Sequence, residues 1–246
     1  MNDTLNTIMN RRSVRAFCDR EISKEDRGAI LGAAFRAPTA GNQQLYSIID
    51  VNDEGKKELL SVLCDNQPFI KQAKLVLVFV ADPLKWYDAY ISEGLSPRRL
   101  GVGDLMLAIS DANIAAQNAV IAAESLGIGS CYIGDIMERC ENMREALSLP
   151  DKVFPACMLV FGYPTEGVMK RPPLGRIPEE YVVFDNEYRR LNADELRSAL
   201  EWKSGERSYG DWLRAFMERK YNSDFSLEMT RSVEKYLDAF LDGEKQ

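Results

Sequence analysis

Residues 11–17 read Arg-Arg-Ser-Val-Arg-Ala-Phe. Three guanidiniums and a hydroxyl within five positions suit the binding of a phosphate monoester. Arginine presents planar, forked donors that match phosphate oxygens, and a dianion needs several donors at once. Ser13 adds one beside Arg11, Arg12 and Arg15. The plainer account of these residues is a solvated basic face, where cations offset the carbonyl end of a preceding helix. A second stretch, Pro38-Thr-Ala-Gly-Asn-Gln-Gln44, carries amides that both donate and accept. Thr39, Asn42 and Gln44 suit the edge of a heterocycle with carbonyls and ring nitrogens. Alone, the stretch is an ordinary polar loop. Together the two fit a flat heterocycle with a phosphate tail.

The chain contains no histidine. Ser-His and Cys-His nucleophile pairs and His-ligated metal centres are therefore excluded. Acid–base work falls to other groups, or a cofactor carries the chemistry. Five cysteines, at 18, 64, 131, 140 and 157, are odd in number and include no C-x-x-C. Neither a disulfide framework nor a zinc cage is expected, and free thiols of a reducing compartment are. A net charge of −7 argues against a nucleic-acid partner. The first residues lack the apolar stretch of a secretory signal. Leu-Val-Leu-Val-Phe-Val at 75–80 is far short of the roughly 20 apolar residues that cross a bilayer. The expectation is a soluble, cytoplasmic protein without a membrane partner.

These residues need elements to hold them. With 246 residues, 46% hydrophobic, the chain can bury a sizeable core. A short amphipathic helix over 3–10 leads into the arginines. Ser23 with Asp26 three residues on is a capping-box pattern, and the helix it starts runs to about Ala37, where Pro38 stops it. Strands are expected at 45–51, 73–81 and 156–164, with a short strand or turn at 127–136. Helices are expected at 53–64 and at 141–148 before Pro150. The longest helical run is Asp104–Leu126, rich in alanine and apolar over most of its circumference. It reads as a buried central helix, part of which packs on a second subunit. After Pro164 the composition shifts to a Pro- and Gly-containing excursion over 165–178. Charged helices follow at 193–203, 208–220 and 226–241, an appendage on the core. Gly127-Ile-Gly129 follows a helix instead of a strand, and the next glycine falls at 134, so the dinucleotide-binding fingerprint is absent.

Arg-Arg-Ser-Val-Arg-Ala-Phe, then Ala37-Pro-Thr-Ala-Gly-Asn-Gln-Gln44, then Ala-Ala-Glu-Ser-Leu-Gly-Ile-Gly-Ser-Cys-Tyr-Ile-Gly-Asp-Ile at 122–136, then Phe-Gly-Tyr-Pro at 161–164, resemble in order and spacing the FMN-dependent nitroreductase/flavin reductase family. The Pro-rich excursion and helical tail further resemble its NADPH-preferring, oxygen-insensitive branch. The resemblance implies an α+β fold. This is a nitroreductase-like mixed β-sheet flanked by helices, with a long central helix and a helical C-terminal extension. It also implies one FMN-binding domain over 1–246, with its core at about 1–164. The activity implied is ping-pong hydride transfer from NAD(P)H through the flavin N5 to nitroaromatic, quinone or free-flavin acceptors, in a homodimer with FMN at the subunit interface. The alternative is a flavin-storage protein with little turnover.

Residue by residue, Arg11, Arg12, Ser13 and Arg15 match the segment holding the FMN phosphate and part of the flavin. Thr39, Gly41, Asn42 and Gln44 match the loop beside the isoalloxazine. Gln67 matches a polar position reaching the flavin. Tyr132, Ile133 and Gly134 match the segment on its far side, where the Gly134 backbone N–H meets N5. Arg176 matches the basic residue returning to the phosphate. The chain departs from the family at Asp135, often glycine, which puts a carboxylate near the flavin. It departs also at Leu174-Gly175-Arg176, where the family has Lys-x-Arg, leaving Lys170 or Arg171 as substitutes. Lys203 and Arg207, on a Gly-Ser loop, are expected to take NADPH or to be solvated helix-flanking residues.

Overall fold

A computed structural model describes residues 1–170 and 174–241. The described residues form two compact units, 1–170 with 229–241, and 174–228. In the first, α1 (Asp3–Asn10) and α2 (Lys24–Phe35) precede β1 (Tyr46–Asp50). There follow α3 (Glu54–Leu63), α4 (Pro68–Gln72), β2 (Leu75–Ala81), α5 (Leu84–Ser92) and α6 (Val102–Ser125). Then come β3 (Gly129–Ile133), α7 (Cys140–Leu147), β4 (Phe154–Gly162) and α8 (Glu166–Met169). Ser23 caps α2 by accepting from the Asp26 N–H at 2.9 Å, and Asp53 caps α3 from the Lys56 N–H at 2.7 Å. Each satisfies an N–H that has no partner within its own helix.

The strands lie in the order β1-β2-β4-β3, and every ladder is antiparallel. Among the described residues, the parallel component of the sheet is one bridge, Ser13 to Ser130 on the outer edge of β3. β2 is apolar on both faces because both are covered. Leu75, Leu77, Phe79 and Ala81 point into a cluster with α2, α6 and the chain's last helix, whereas Val76, Val78 and Val80 point into one with α3, α4 and α7. The sheet is thus the middle of three layers.

α6 buries one stripe, Leu105, Ala108, Asp111, Ala112, Ala115, Ala116, Ala119, Val120 and Ala123. Its alanines let α2 and the sheet come close. By length and composition it could cross a membrane; here that stripe packs on the sheet. The helix is not buried all round, as its composition had implied: Met106, Leu107 and Ile114 are 58%, 50% and 41% exposed on the far side.

The second unit holds α9 (Ala193–Leu200), a 3-10 turn at Glu201–Ser204, α10 (Tyr209–Lys220) and the start of α11 (Asp224–Leu241). Asn192 and Glu195 form a reciprocal capping box on α9, and Ser208 caps α10. Trp212 is buried between Tyr209 and Phe216, at 6.1 and 5.4 Å between ring centroids. The later part of α11 belongs to the first unit, where Tyr236 meets the Phe154 ring edge-on at 5.0 Å.

Candidate functional site

The arginine segment is held by main-chain bonds. Arg11 is the C-cap of α1, its N–H on the Thr7 carbonyl. The Val14 N–H then donates to the Ser130 carbonyl at 2.9 Å, the Cys18 N–H to Tyr163 at 2.9 Å, and the Thr165 N–H to Ala16 at 3.2 Å. Two glycines make room. Gly129 of β3 and Gly162 of β4 face one another in register. A Cβ on Gly129 would lie 2.8 Å from Cβ of Val14, and one on Gly162 would lie 2.7 Å from the Phe17 ring. Side chains on both strands would lift the segment from this end of the ladder. Val14 is buried there at 1% exposure, while Ser13 and Arg15 on either side of it are exposed.

Cys131 of β3 is buried beside this segment, at 1% exposure. Burial pushes that thiol up, and the Arg15 guanidinium, the Ser13 hydroxyl and Arg11 pull it back. Arg11 and Arg12 also act on Glu124 at the end of α6, whose half-burial raises its carboxyl above the usual range. Arg12 donates to the Met169 carbonyl at 3.3 Å. The Arg15 guanidinium stands 6.0 Å from the Phe69 ring on α4, a cation–π arrangement. Two guanidiniums thus act on one carboxylate and a third stands by Cys131 and Phe69, an excess of donors and positive charge that fits a phosphate dianion.

Tyr132 alternates with its neighbours on β3. Cys131 and Ile133 point into the core, and Ile133 is 2% exposed. Only the main chain of Ile133 can serve a ligand. Tyr132 points the other way and donates to Gln117 Oε1 on α6 at 3.2 Å. Its burial raises the phenol well above its ordinary range. Gly134 follows at the start of a 3-10 turn, exposed and with open space where a Cβ would be. Gln67 is the N-cap residue of α4, and its amide donates to the Cys64 carbonyl at 2.9 Å. The carboxylates of Asp65, Asp135 and Glu138 lie within 4.8 Å of one another. Together they raise the buried Cys64 thiol beyond what desolvation alone does.

Loop 38–45 is built differently. Gly41, Asn42 and Gln44 have φ of 57°, 57° and 53°. Such left-handed backbone is strained for Asn and Gln. The Thr39 hydroxyl is occupied within the loop, accepting from the Gln44 N–H at 3.1 Å. The Trp86 indole N–H donates to the Gln43 carbonyl at 2.7 Å. The loop's two ends sit on Asp111 of α6, which sequence reasoning missed: Oδ1 accepts from the Ala40 N–H at 2.9 Å and Oδ2 from the Leu45 N–H at 3.1 Å. The signal was available, a carboxylate on the stripe of an otherwise apolar helix.

The two segments are anchored at different points along α6. Loop 38–45 hangs on Asp111, while the arginines stand near Glu124. Those positions are thirteen residues apart on α6, about 20 Å at the helical rise. Lys170 pairs with Glu166 at 3.7 Å, and Arg171 lies outside the described residues. Arg176 belongs to the 174–228 unit, where it and Lys203 line one cavity of about 890 Å³ with Trp202, Ile177, Val182 and Val183. Arg207 is not among the residues lining it.

An FMN reductase (NADPH) of Bacillus subtilis is 35% identical over 206 residues, covering 81% of this chain and 80% of that protein. An oxygen-insensitive NADPH nitroreductase of Salmonella typhimurium is 34% identical over 193 residues, covering 78% and 77%. The structure of the NfrA1 nitroreductase from B. subtilis superimposes with a TM-score of 0.82 at 30% identity, over 95% of this chain and 98% of that one. The model of the nitroreductase family matches residues 8–163, from the end of α1 through the arginine segment, the loop and β3 to the close of β4, and the chain belongs to that family.

Proposed function

We propose that the chain is an FMN-dependent NAD(P)H oxidoreductase working as a homodimer, the whole chain serving as one FMN-binding domain. The observation that carries this reading is the arginine segment pinned to β3 through Val14, with Ser13 and Arg15 exposed on either side of that buried residue. Those donors, with Arg12, would hold the FMN phosphate. Asn42 and Gln44, exposed on the strained loop, would meet the isoalloxazine, as would Gln67 and the main chain of 132–134. Bound FMN supplies two-electron hydride exchange, which lets donor and acceptor use one site in turn, a ping-pong order. Nitroaromatics, quinones and free flavin are the acceptors proposed, in keeping with the FMN reductase and nitroreductase relatives.

The spacing of about 20 Å along α6 between Asp111, which holds the loop, and Glu124, on which Arg11 and Arg12 act, supports the dimer, because a second copy can bring its loop to the first copy's arginines. The exposed apolar residues of α6, Met106, Leu107 and Ile114, with Leu5, Ile8 and Met9 on the adjoining α1, offer the surface. In the 174–228 unit, the cavity joining Arg176, Lys203 and the Trp202 indole suits the phosphates of NADPH. A visible spectrum before and after anaerobic NADPH tests the reading. Flavin absorbance that bleaches is expected. Absorbance that persists with both NADPH and NADH favours flavin storage, and colourless protein that ignores added FMN overturns both. An Arg176→Ala protein that keeps FMN but has a raised KM for NADPH supports the cavity. Release of FMN instead returns Arg176 to the cofactor phosphate.

A further inference from the structure

Asp111 is 2% exposed. Burying a carboxylate is costly unless its oxygens are satisfied. Among the described residues, its hydrogen-bond partners are the Ala40 and Leu45 N–H groups, one at each end of the strained turn. Neither N–H belongs to the strand ladder, since β1 begins at Tyr46. One carboxylate with two divergent oxygens therefore closes the loop like a clasp. Three of the residues between hold positive φ, a shape the backbone keeps only when its ends are fixed. With its ends on Asp111, and Thr39 and Trp86 taking two further main-chain groups, the loop leaves the Asn42 and Gln44 side chains exposed.

We infer that Asp111 is a positioning residue for the flavin-facing loop: it never touches the cofactor, but fixes the turn that presents Asn42 and Gln44. The inference rests on the reading of loop 38–44 given above. It also explains the residue type. Asparagine is isosteric but offers one acceptor, and its NH₂ would face the second backbone N–H, donor against donor. No neutral side chain of that length accepts from both ends.

The test is Asp111→Asn in the full chain, read by amide hydrogen exchange and by FMN titration of the apoprotein. Exchange at Ala40 and Leu45 should rise by about tenfold or more relative to β2, and FMN affinity should fall by about tenfold, as expected for lost bonds to a charged acceptor. The Arg11→Ala, Arg15→Ala double variant should lose FMN without faster exchange at 40 and 45. Unchanged exchange in Asp111→Asn overturns the clasp, and faster exchange with unaltered FMN affinity overturns its role in positioning. The wild-type protein is a test in its own right should the variant not fold: Ala40 and Leu45 must be as protected as strand amides, and free exchange at either overturns the inference. Wild-type protein that takes up no FMN overturns the site reading and this inference together.

Discussion

Segments 11–17 and 38–45 each bring polar side chains to a surface, and each is fixed by different bonds. The first is held as a strand is held, by main-chain hydrogen bonds to Ser130 and Tyr163. Its side chains take no part in that main-chain bonding, and Ser13 and Arg15 stay exposed. The second is held by side chains of other elements, Asp111 and Trp86, and by its own Thr39. A strand-like attachment tolerates any side chain that points outward but demands bare neighbours, which is why Gly129 and Gly162 face each other beneath Val14 and Phe17. A clasped turn tolerates its neighbours but depends on single atoms. Substitutions should therefore act on the first segment through bulk and on the second through lost acceptors.

The largest effect should come from bulk under the first segment. Gly129→Val places branched carbon where Val14 already packs. Overpacking of this kind costs about 3 kcal/mol, and the arginine segment would lift before the sheet opens. FMN binding should fall by at least about 100-fold while far-UV circular dichroism stays native. A Gly129→Val protein that binds FMN normally would show that the segment is not held by this contact.

Next comes charge. The double change Arg11→Ala, Arg15→Ala removes two of three guanidiniums and leaves every main-chain bond of the segment in place. Charge-assisted bonds are worth about 1.5–3 kcal/mol each, so FMN retention measured by equilibrium dialysis should weaken by roughly 100-fold. The midpoint of thermal unfolding should stay within about 2 °C. Unchanged retention would break the phosphate assignment. Smaller again is Trp86→Phe, which keeps the ring and removes the donor to the Gln43 carbonyl. One neutral bond is worth about 1 kcal/mol, so a decrease of about fivefold in FMN affinity is expected, confined to the loop in exchange measurements.

The two segments were unequally legible in the sequence. The apolar run at 73–81 and the caps at Ser23, Asp53, Asn192 and Ser208 carry local signals, and the elements form there. α4 has five residues, too few for a periodicity, and α5 (Leu-Lys-Trp-Tyr-Asp-Ala-Tyr-Ile-Ser) mixes aromatic and polar residues without a clear face. Alternation on β3 could have separated Tyr132 from Ile133, whose side chain belongs to the core. The arginines declare their chemistry by type. Asp111 does not, because a carboxylate in a helix is ordinarily solvated, and only its place on the stripe of Ala108, Ala112 and Ala115 marks it as buried. The distance along α6 between loop and arginines is fixed by tertiary hydrogen bonds, which leave no trace in local pattern.

A contact remote from both segments sharpens the comparison by having the smallest effect. Arg231 of α11 makes a two-fold contact with Glu141 in the first turn of α7, at 3.0 and 2.8 Å. Hydrogen bonds from that guanidinium hold the Glu141 carboxyl down at about 2. A carboxyl depressed by folding contributes fully where it is ionised in folded and unfolded chains alike, above about pH 4.5. The contribution fades as pH falls from there towards 2, because the unfolded chain takes up the proton first. Both side chains are about half exposed, so solvent screening keeps the contribution below about 1 kcal/mol. Glu141→Gln should therefore lower the unfolding midpoint by no more than about 3 °C at pH 7. The difference from wild type should shrink as pH is lowered and also in 1 M salt, where exposed pairs are screened. FMN affinity at pH 7 should not change, since neither the strand-like attachment nor the clasp involves α7. A loss of FMN in Glu141→Gln would mean that the two segments are coupled to the packing of α11, and that the bonds at Ser130 and Asp111 alone do not hold the site.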